Sequence, residues 1–336
     1  MTTERRDAIA QFLSDAGWQG ADAKPLAGDA SNRSYQRLHH RTNGAAILMD
    51  ASSKDSEDTR PFIKIAQHLN QIGLSAPEIL AQDIAQGFLL IEDFGDDLFA
   101  DLLQDAPKRS AELYHLATDA LLHMQAKEPP AQLPRFGATE MSEAALLVAD
   151  WYLEQTSPNP PKIREEIRDA LFGLLTKSLC GRSVMIHRDY HVENLILLPN
   201  RTGVARLGML DFQDAMLGDP AYDLASLLKD ARRDVTPTVQ ASCIAQFIEA
   251  LEIDKDHFDA AFACCSAQRN LRILGIFARL SIRDGKTHYL DLLPRVWRNL
   301  VDDLSHPALT SFGEWILDIL PEPSPALIAK LKTTDV

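Results

Sequence analysis

The chain has 336 residues, 46% hydrophobic and 24% charged, which excludes wholesale disorder and leaves room for about two domains. Lys and Arg number 34 against 48 Asp and Glu, a formal charge of −14. An acidic chain without basic runs is a poor binder of nucleic acid or anionic membrane, although a single cleft can still be cationic. No apolar run approaches the ~18 residues of a bilayer span. The opening MTTERRDAIAQFLSDAG lacks a signal-peptide core. Cys180, Cys243, Cys264 and Cys265 form no CxxC pair and read as reduced, buried thiols. These features together predict a soluble cytoplasmic enzyme.

The first helix takes its apolar face from Ile9, Phe12 and Leu13. Strands are predicted over 33–40 and 44–50, with Thr42-Asn43-Gly44 turning between them. Thr59 is a candidate cap for a helix over 60–72, with Pro61 in its first turn and Gly73 past its end. Strands at 78–82 and 88–91 follow, split by Ala85-Gln86-Gly87. The sum is a meander with one inserted helix.

The texture breaks at 93–97, which places a β-rich lobe at 1–94 and a helical lobe at 95–336. Helical periods run over 111–124, 143–153, 163–178, 221–232 and most of 256–281. A strand-rich island at 184–211 interrupts them.

Within that island two apolar strands flank a polar loop. Asp189 and Asn194 lie five residues apart, and Asp211 follows Asn194 by seventeen. Phosphoryl transfer uses such a set. One carboxylate orients an attacking hydroxyl and takes its proton, while an amide oxygen and a second carboxylate hold Mg²⁺ against nucleotide phosphates.

His187-Arg188-Asp189 with Asn194 and Asp211-Phe212 resembles the catalytic loop and metal motif of the protein-kinase-like fold. His191 and the stretch Gly218-Asp219-Pro220-Ala221-Tyr222-Asp223 are similar to the aminoglycoside phosphotransferase and choline kinase branch. Residues 28–37, 48–51, 211–215 and 268–279 resemble the bacterial anomeric sugar kinases, which phosphorylate N-acetylmuramate and N-acetylglucosamine at C1 in cell-wall recycling.

The resemblance implies an α+β, two-lobed protein-kinase-like fold with a small β-rich N-terminal lobe that binds nucleotide. The large helical lobe would hold the catalytic loop and acceptor site. It implies ATP and Mg²⁺ as cofactors and a small-molecule acceptor, an amino sugar, with no nucleic-acid or membrane partner. An aminoglycoside or other amino-alcohol kinase is the alternative enzyme. An inert nucleotide-binding scaffold is the alternative outside catalysis.

Roles follow residue by residue. Asp189 is the expected base, and Asn194 and Asp211 the expected metal ligands. His187 and Asp223 brace the loop. Ser31, Asn32, Arg33, Ser34 and Arg37 belong to a phosphate-covering hairpin, and Glu92 and Phe94 to the connector that meets the base of the nucleotide. His191, Asp214, Arg269 and Arg272 are expected on the acceptor, with Asn270 beside them, although such arginines also serve simply to pair acidic groups.

One departure from the kinase pattern matters. Met49 stands where the phosphate-pairing lysine belongs, and residues 60–72 contain no acid to pair with one. Arg33 or Arg37 would replace that cation, or else Lys54 or Lys64 reaches in, or no replacement exists.

Overall fold

The computed structural model describes residues 2–26, 33–51, 58–155 and 161–333. In chain order the elements are α1 (Thr3–Asp15), β1 (Asp22–Leu26), β2 (Arg33–His40), β3 (Gly44–Ala51), α2 (Arg60–Gln71), β4 (Ile79–Asp83), β5 (Phe88–Glu92) and α3 (Phe99–Asp105). Then come α4 (Ser110–Gln125), β6 (Arg135–Phe136), α5 (Ala138–Ala145), a π-helical stretch (Val148–Leu153), α6 (Pro161–Ser178) and β7 (Val184–Ile186). The chain continues with β8 (Leu195–Leu197), β9 (Leu207–Met209), β10 (Met216–Gly218), α7 (Ala221–Leu228), α8 (Pro237–Leu251) and α9 (Lys255–Asp284). It closes with α10 (Leu293–Leu304), α11 (Thr310–Ile319) and α12 (Pro325–Thr333).

Compactness divides the chain into residues 1–109 with 192–214, and residues 110–191 with 215–336. The composition break at 93–97 therefore falls inside the first unit, and the second half of the strand-rich island returns to it.

The first unit is built on a five-stranded antiparallel sheet in the order β1-β2-β3-β5-β4. It is not the expected meander, because β5 inserts between β3 and β4. The reason lies in composition. β3 and β5 are apolar on both faces and take the centre, while β4 alternates half-buried and exposed residues and suits the edge. β1 was not foreseen: it carries Pro25, is mostly exposed, and pairs on one side only.

One sheet face, with Leu38, Ala46, Leu48, Phe88 and Leu90, packs on Ile9 and Phe12 of α1 and on Trp18. Each buried Leu, Ile and Phe among these contributes roughly 1.5–3 kcal/mol. Alternation sends Tyr35, Arg37, Ile47 and Met49 to the other face. Helix α2 begins where expected, but Thr59 gives no side-chain cap and itself adopts helical dihedrals.

In the second unit α9 is the central element, with twenty of its thirty residues buried. The helix expected over 143–153 instead stops at Ala145 and passes into the π-helical stretch. Packing explains the change. A Cβ on Gly275 of α9 would lie 2.1 Å from the carbonyl carbon of Leu147, so two backbones meet where side chains normally separate helices. A short sheet, β6-β10-β7, leads into the catalytic loop.

Candidate functional site

In the first unit β8 and β9 form a two-stranded ribbon. Its open end sets Asn194 opposite Leu210, whose N–H donates to the Asn194 carbonyl at 2.9 Å. Asp211 comes next, and the ribbon thus closes a seventeen-residue separation. Asp211 adopts φ 59°, a left-handed conformation uncommon for non-glycine residues that Asp enters more readily than most. Gln213 donates from Nε2 to Asp211 Oδ1 at 2.7 Å. Phe212 is fully buried, its ring 4.8 Å from that of Phe62 on α2.

Asn194 and Asp211 line a cavity of ≈470 Å³ together with Leu26, Tyr35, Ile47, Phe62, Ile91, Phe94, Ile196 and Leu210. A lining of mostly apolar side chains with a few polar groups suits a planar base and its phosphates. An amide oxygen and a carboxylate are the hard donors that Mg²⁺ takes alongside phosphate oxygens and water, so the residues fit that ion. Among the described residues no group of three His, Cys, Asp or Glu could hold a metal without such help.

The linker after β5 forms one side of the cavity. Arg37 reaches it from β2, its Nε 2.8 Å from Asp93 and its Nη1 2.8 Å from Asp96. Its Nη2 also donates to the Gly95 carbonyl at 3.2 Å. Desolvation pulls the Arg37 pKa down, but the bonds and charges of Asp96 and Asp93 outweigh it and raise the net value. Glu92 pairs with Arg201, whose guanidinium lies 5.3 Å from the Phe94 ring. That ring covers Gly208 of β9 so closely that a Cβ there would lie 2.7 Å from it.

In the second unit β7 ends at Ile186 and the chain turns sharply through residues 187–191. Arg188 adopts φ 76°. Buried Asp223, at the start of α7, holds this turn by accepting from the N–H of His187 at 2.6 Å and of Arg188 at 2.9 Å. Burial pushes its carboxyl up to about 7, against the pull of those two donors. His187 meets the Tyr190 ring edge-on at 5.5 Å, and the Tyr190 hydroxyl donates to the Ala117 carbonyl at 2.7 Å.

Asp189 sits at the tip of this turn. Burial raises its carboxyl, but Arg272 and Arg269 on α9, then His191 and Arg188, more than offset that and bring it below the ordinary carboxylate range. A carboxyl so placed is ionised at neutral pH. His191 is held well below the usual histidine value by burial and by Arg232 and Arg269, so its ring is neutral.

The comparisons with known proteins bear on this geometry. The model of the phosphotransferase enzyme family matches residues 22–262. The chain belongs to that family. It is 38% identical to an N-acetylmuramate/N-acetylglucosamine kinase of Caulobacter vibrioides over 94% of this chain and 96% of the relative. A protein of the same name from Pseudomonas aeruginosa is 35% identical over 90% and 89%. Among solved structures, a choline/ethanolamine kinase family protein from Mesorhizobium loti superposes with a TM-score of 0.60 at 15% identity, covering 98% of this chain and 99% of that one. The fold is thus the α+β kinase-like fold that the catalytic-loop motif implied. Among the described residues no helix is long and apolar enough to cross a membrane.

The expected site residues fall into three groups. Asn194, Asp211, Arg37, Glu92 and Phe94 line one cavity in the first unit. Asp189, His187, Asp223, His191, Arg269 and Arg272 cluster in the second. Others lie apart. Ser34 is exposed and alternates to the face opposite Tyr35, and Asp214 is exposed. Asn270 turns away, donating from Nδ2 to Asp303 at 2.9 Å. Lys64 is exposed on α2, and Met49 is fully buried. Ser31, Asn32 and Lys54 lie outside the described residues.

Arg33 ends β2 on the same face as Tyr35 and Arg37. Tyr35 and Phe62 were missed as cavity residues, and Gly208 as the residue beneath the Phe94 ring. Alternation from Arg33 and Arg37 would have found Tyr35, whereas nothing local marks the other two.

Proposed function

We propose that the chain is an ATP-dependent sugar kinase that transfers the γ-phosphoryl group to the C1 hydroxyl of N-acetylmuramate or N-acetylglucosamine. The full-length likeness to the two kinases of that name carries this reading. The geometry supports the same reaction. The ionised Asp189 accepts the proton of the attacking hydroxyl, and Asp223 fixes the backbone that aims it. The first unit binds the nucleotide, and the acceptor binds in the second. Asn194 and Asp211 would hold Mg²⁺, which when bound neutralises charge on the phosphates. A need for ATP places the reaction in the cytoplasm.

Arg33, on the same face of β2 as Arg37, is the hairpin cation assigned to the phosphates. It lies four residues, roughly 13 Å, farther along β2 from the linker end. A guanidinium-rich acceptor region disfavours polycationic aminoglycosides.

The test is ADP release with Mg²⁺ and ATP against N-acetylmuramate, N-acetylglucosamine, choline and kanamycin. Turnover on the two amino sugars supports the proposal. Turnover on kanamycin or choline alone overturns the acceptor assignment.

A further inference from the structure

Helix α9 carries Arg269, Arg272 and Arg279 within an arc of roughly 80° on one face, since seven residues make about two turns. Arg269 is buried and Arg272 half-buried, with its Nη1 3.4 Å from the Tyr222 hydroxyl. The Arg279 Nε is buried with no hydrogen-bond partner among the described residues. Burial, then Arg283, and more weakly Arg272, push this guanidinium down, against the opposing pull of Asp284.

Such a row is costly beside a catalytic base. Guanidiniums that lower Asp189 also weaken it as a proton acceptor. They need a compensating use, and two are chemically available: neutralising the transferring phosphoryl group, or meeting an anion on the acceptor. The row itself separates them. Arg279 stands about 10 Å along the helix from Arg272, beyond the two arginines that most strongly lower Asp189. Positive charge therefore continues along this face of α9 beyond Arg272, over more length than a single transferring phosphoryl group occupies. Arg is also the side chain whose fork matches a carboxylate.

We propose that Arg272, backed by Arg269 and continued by Arg279, binds a carboxylate on the acceptor, so that the site selects the anionic amino sugar, N-acetylmuramate, over the neutral N-acetylglucosamine. This rests on the sugar-kinase reading and assigns that site its specificity-determining residue. Buried Arg269 is the positioning member, and Arg272 makes the contact.

The experiment compares kcat/KM for the two acceptors in the parent, Arg272→Met and Arg272→Lys, with calorimetric binding of each acceptor in the absence of ATP. The ratio of kcat/KM for N-acetylmuramate to that for N-acetylglucosamine falls about 10- to 100-fold in Arg272→Met, mainly through KM, as expected for a lost charge-assisted hydrogen bond. Arg272→Lys recovers part of it. An equal fall on both acceptors assigns Arg272 to phosphoryl transfer and overturns the proposal, as does an unchanged ratio in both variants.

The calorimetric arm separates the two readings. Arg272-dependent preference for N-acetylmuramate binding, in a parent that turns over neither sugar, would sink the kinase reading and leave this one standing. Binding without that preference would sink this one.

Discussion

The two units handle charge in opposite ways. In the first, a cation is surrounded by acids: Arg37 is shared between Asp93 and Asp96 on the linker. In the second, an acid is surrounded by cations: Asp189 feels Arg272, Arg269 and Arg188. The first arrangement is self-satisfied and holds a cavity wall in place. The second gathers several guanidiniums around a single carboxylate. The contrast shows that an arginine near a phosphate-binding region need not serve the phosphate. Its partners decide whether its charge is available.

The largest effect tests the second unit. In Asp189→Asn, kcat falls about 10²- to 10⁴-fold while the KM for ATP changes little, because the base is removed and the nucleotide cavity is untouched. Steady-state kinetics decide, and near-parental turnover removes Asp189 from catalysis. Asp223→Ala is the next step down. Two backbone donors lose their acceptor, which costs about 1–3 kcal/mol of stability and lets the strained Arg188 turn relax. Activity drops with unchanged ATP affinity, and thermal melts register the loss of stability.

A smaller effect sharpens the comparison between arginines. Arg33→Ala raises the KM for ATP about tenfold, the loss of one charge-assisted contact. Arg37→Ala instead lowers Tm by a few degrees, roughly 1 kcal/mol, as two linker carboxylates lose their partner. The reverse pattern would break the contrast, since it would show that Arg37 leaves its carboxylates for the phosphates. Gly208→Ala is milder again in chemistry but tight in space. A Cβ 2.7 Å from Phe94 pushes the ring into the nucleotide cavity and raises the KM for ATP by a few-fold with a small loss of Tm.

The smallest effect is a pH dependence. Buried Asp303 accepts from Ser266 and Asn270, and burial pushes it up to about 7 despite Lys229. Its native pKa lies above the unfolded value near 4, so the native state holds the proton longer. Stability on its account is full below about pH 4 and is lost as pH rises through about 7. Asp303→Asn does not titrate. The Tm of the variant minus that of the parent therefore rises between pH 5 and pH 8. A difference that stays flat across that range shows that the carboxyl is not shifted.

Much of the candidate site's placement was legible because the motif fixes residue types at set spacings. Asp189, Asn194 and Asp211 stand at ribbon ends and turns that the apolar strands beside them mark plainly. The central strands were legible for a similar reason, as β3 and β5 are apolar runs bounded by turn residues. What was hidden depends on partners distant in sequence. The place of β5 between β3 and β4, the π-helical turn forced by Gly275, and the cover of Phe94 over Gly208 are set by contacts with no local signature. The pairing of Arg37 with Asp93 and Asp96 spans more than fifty residues, and charge alone could not show it. Helix α8 was missed for another reason. Thr236 caps it and Pro237 opens it, a start signal overlooked beside the richer island before it.

The central claim is transfer to an anomeric hydroxyl. Proton-coupled ³¹P NMR of the product formed from N-acetylmuramate, Mg²⁺ and ATP tests it most directly. A phosphate resonance coupled to the anomeric proton, absent with Asp189→Asn, is the predicted result. A phosphate coupled to the C6 methylene protons would contradict the account, as would ATP consumed only to inorganic phosphate.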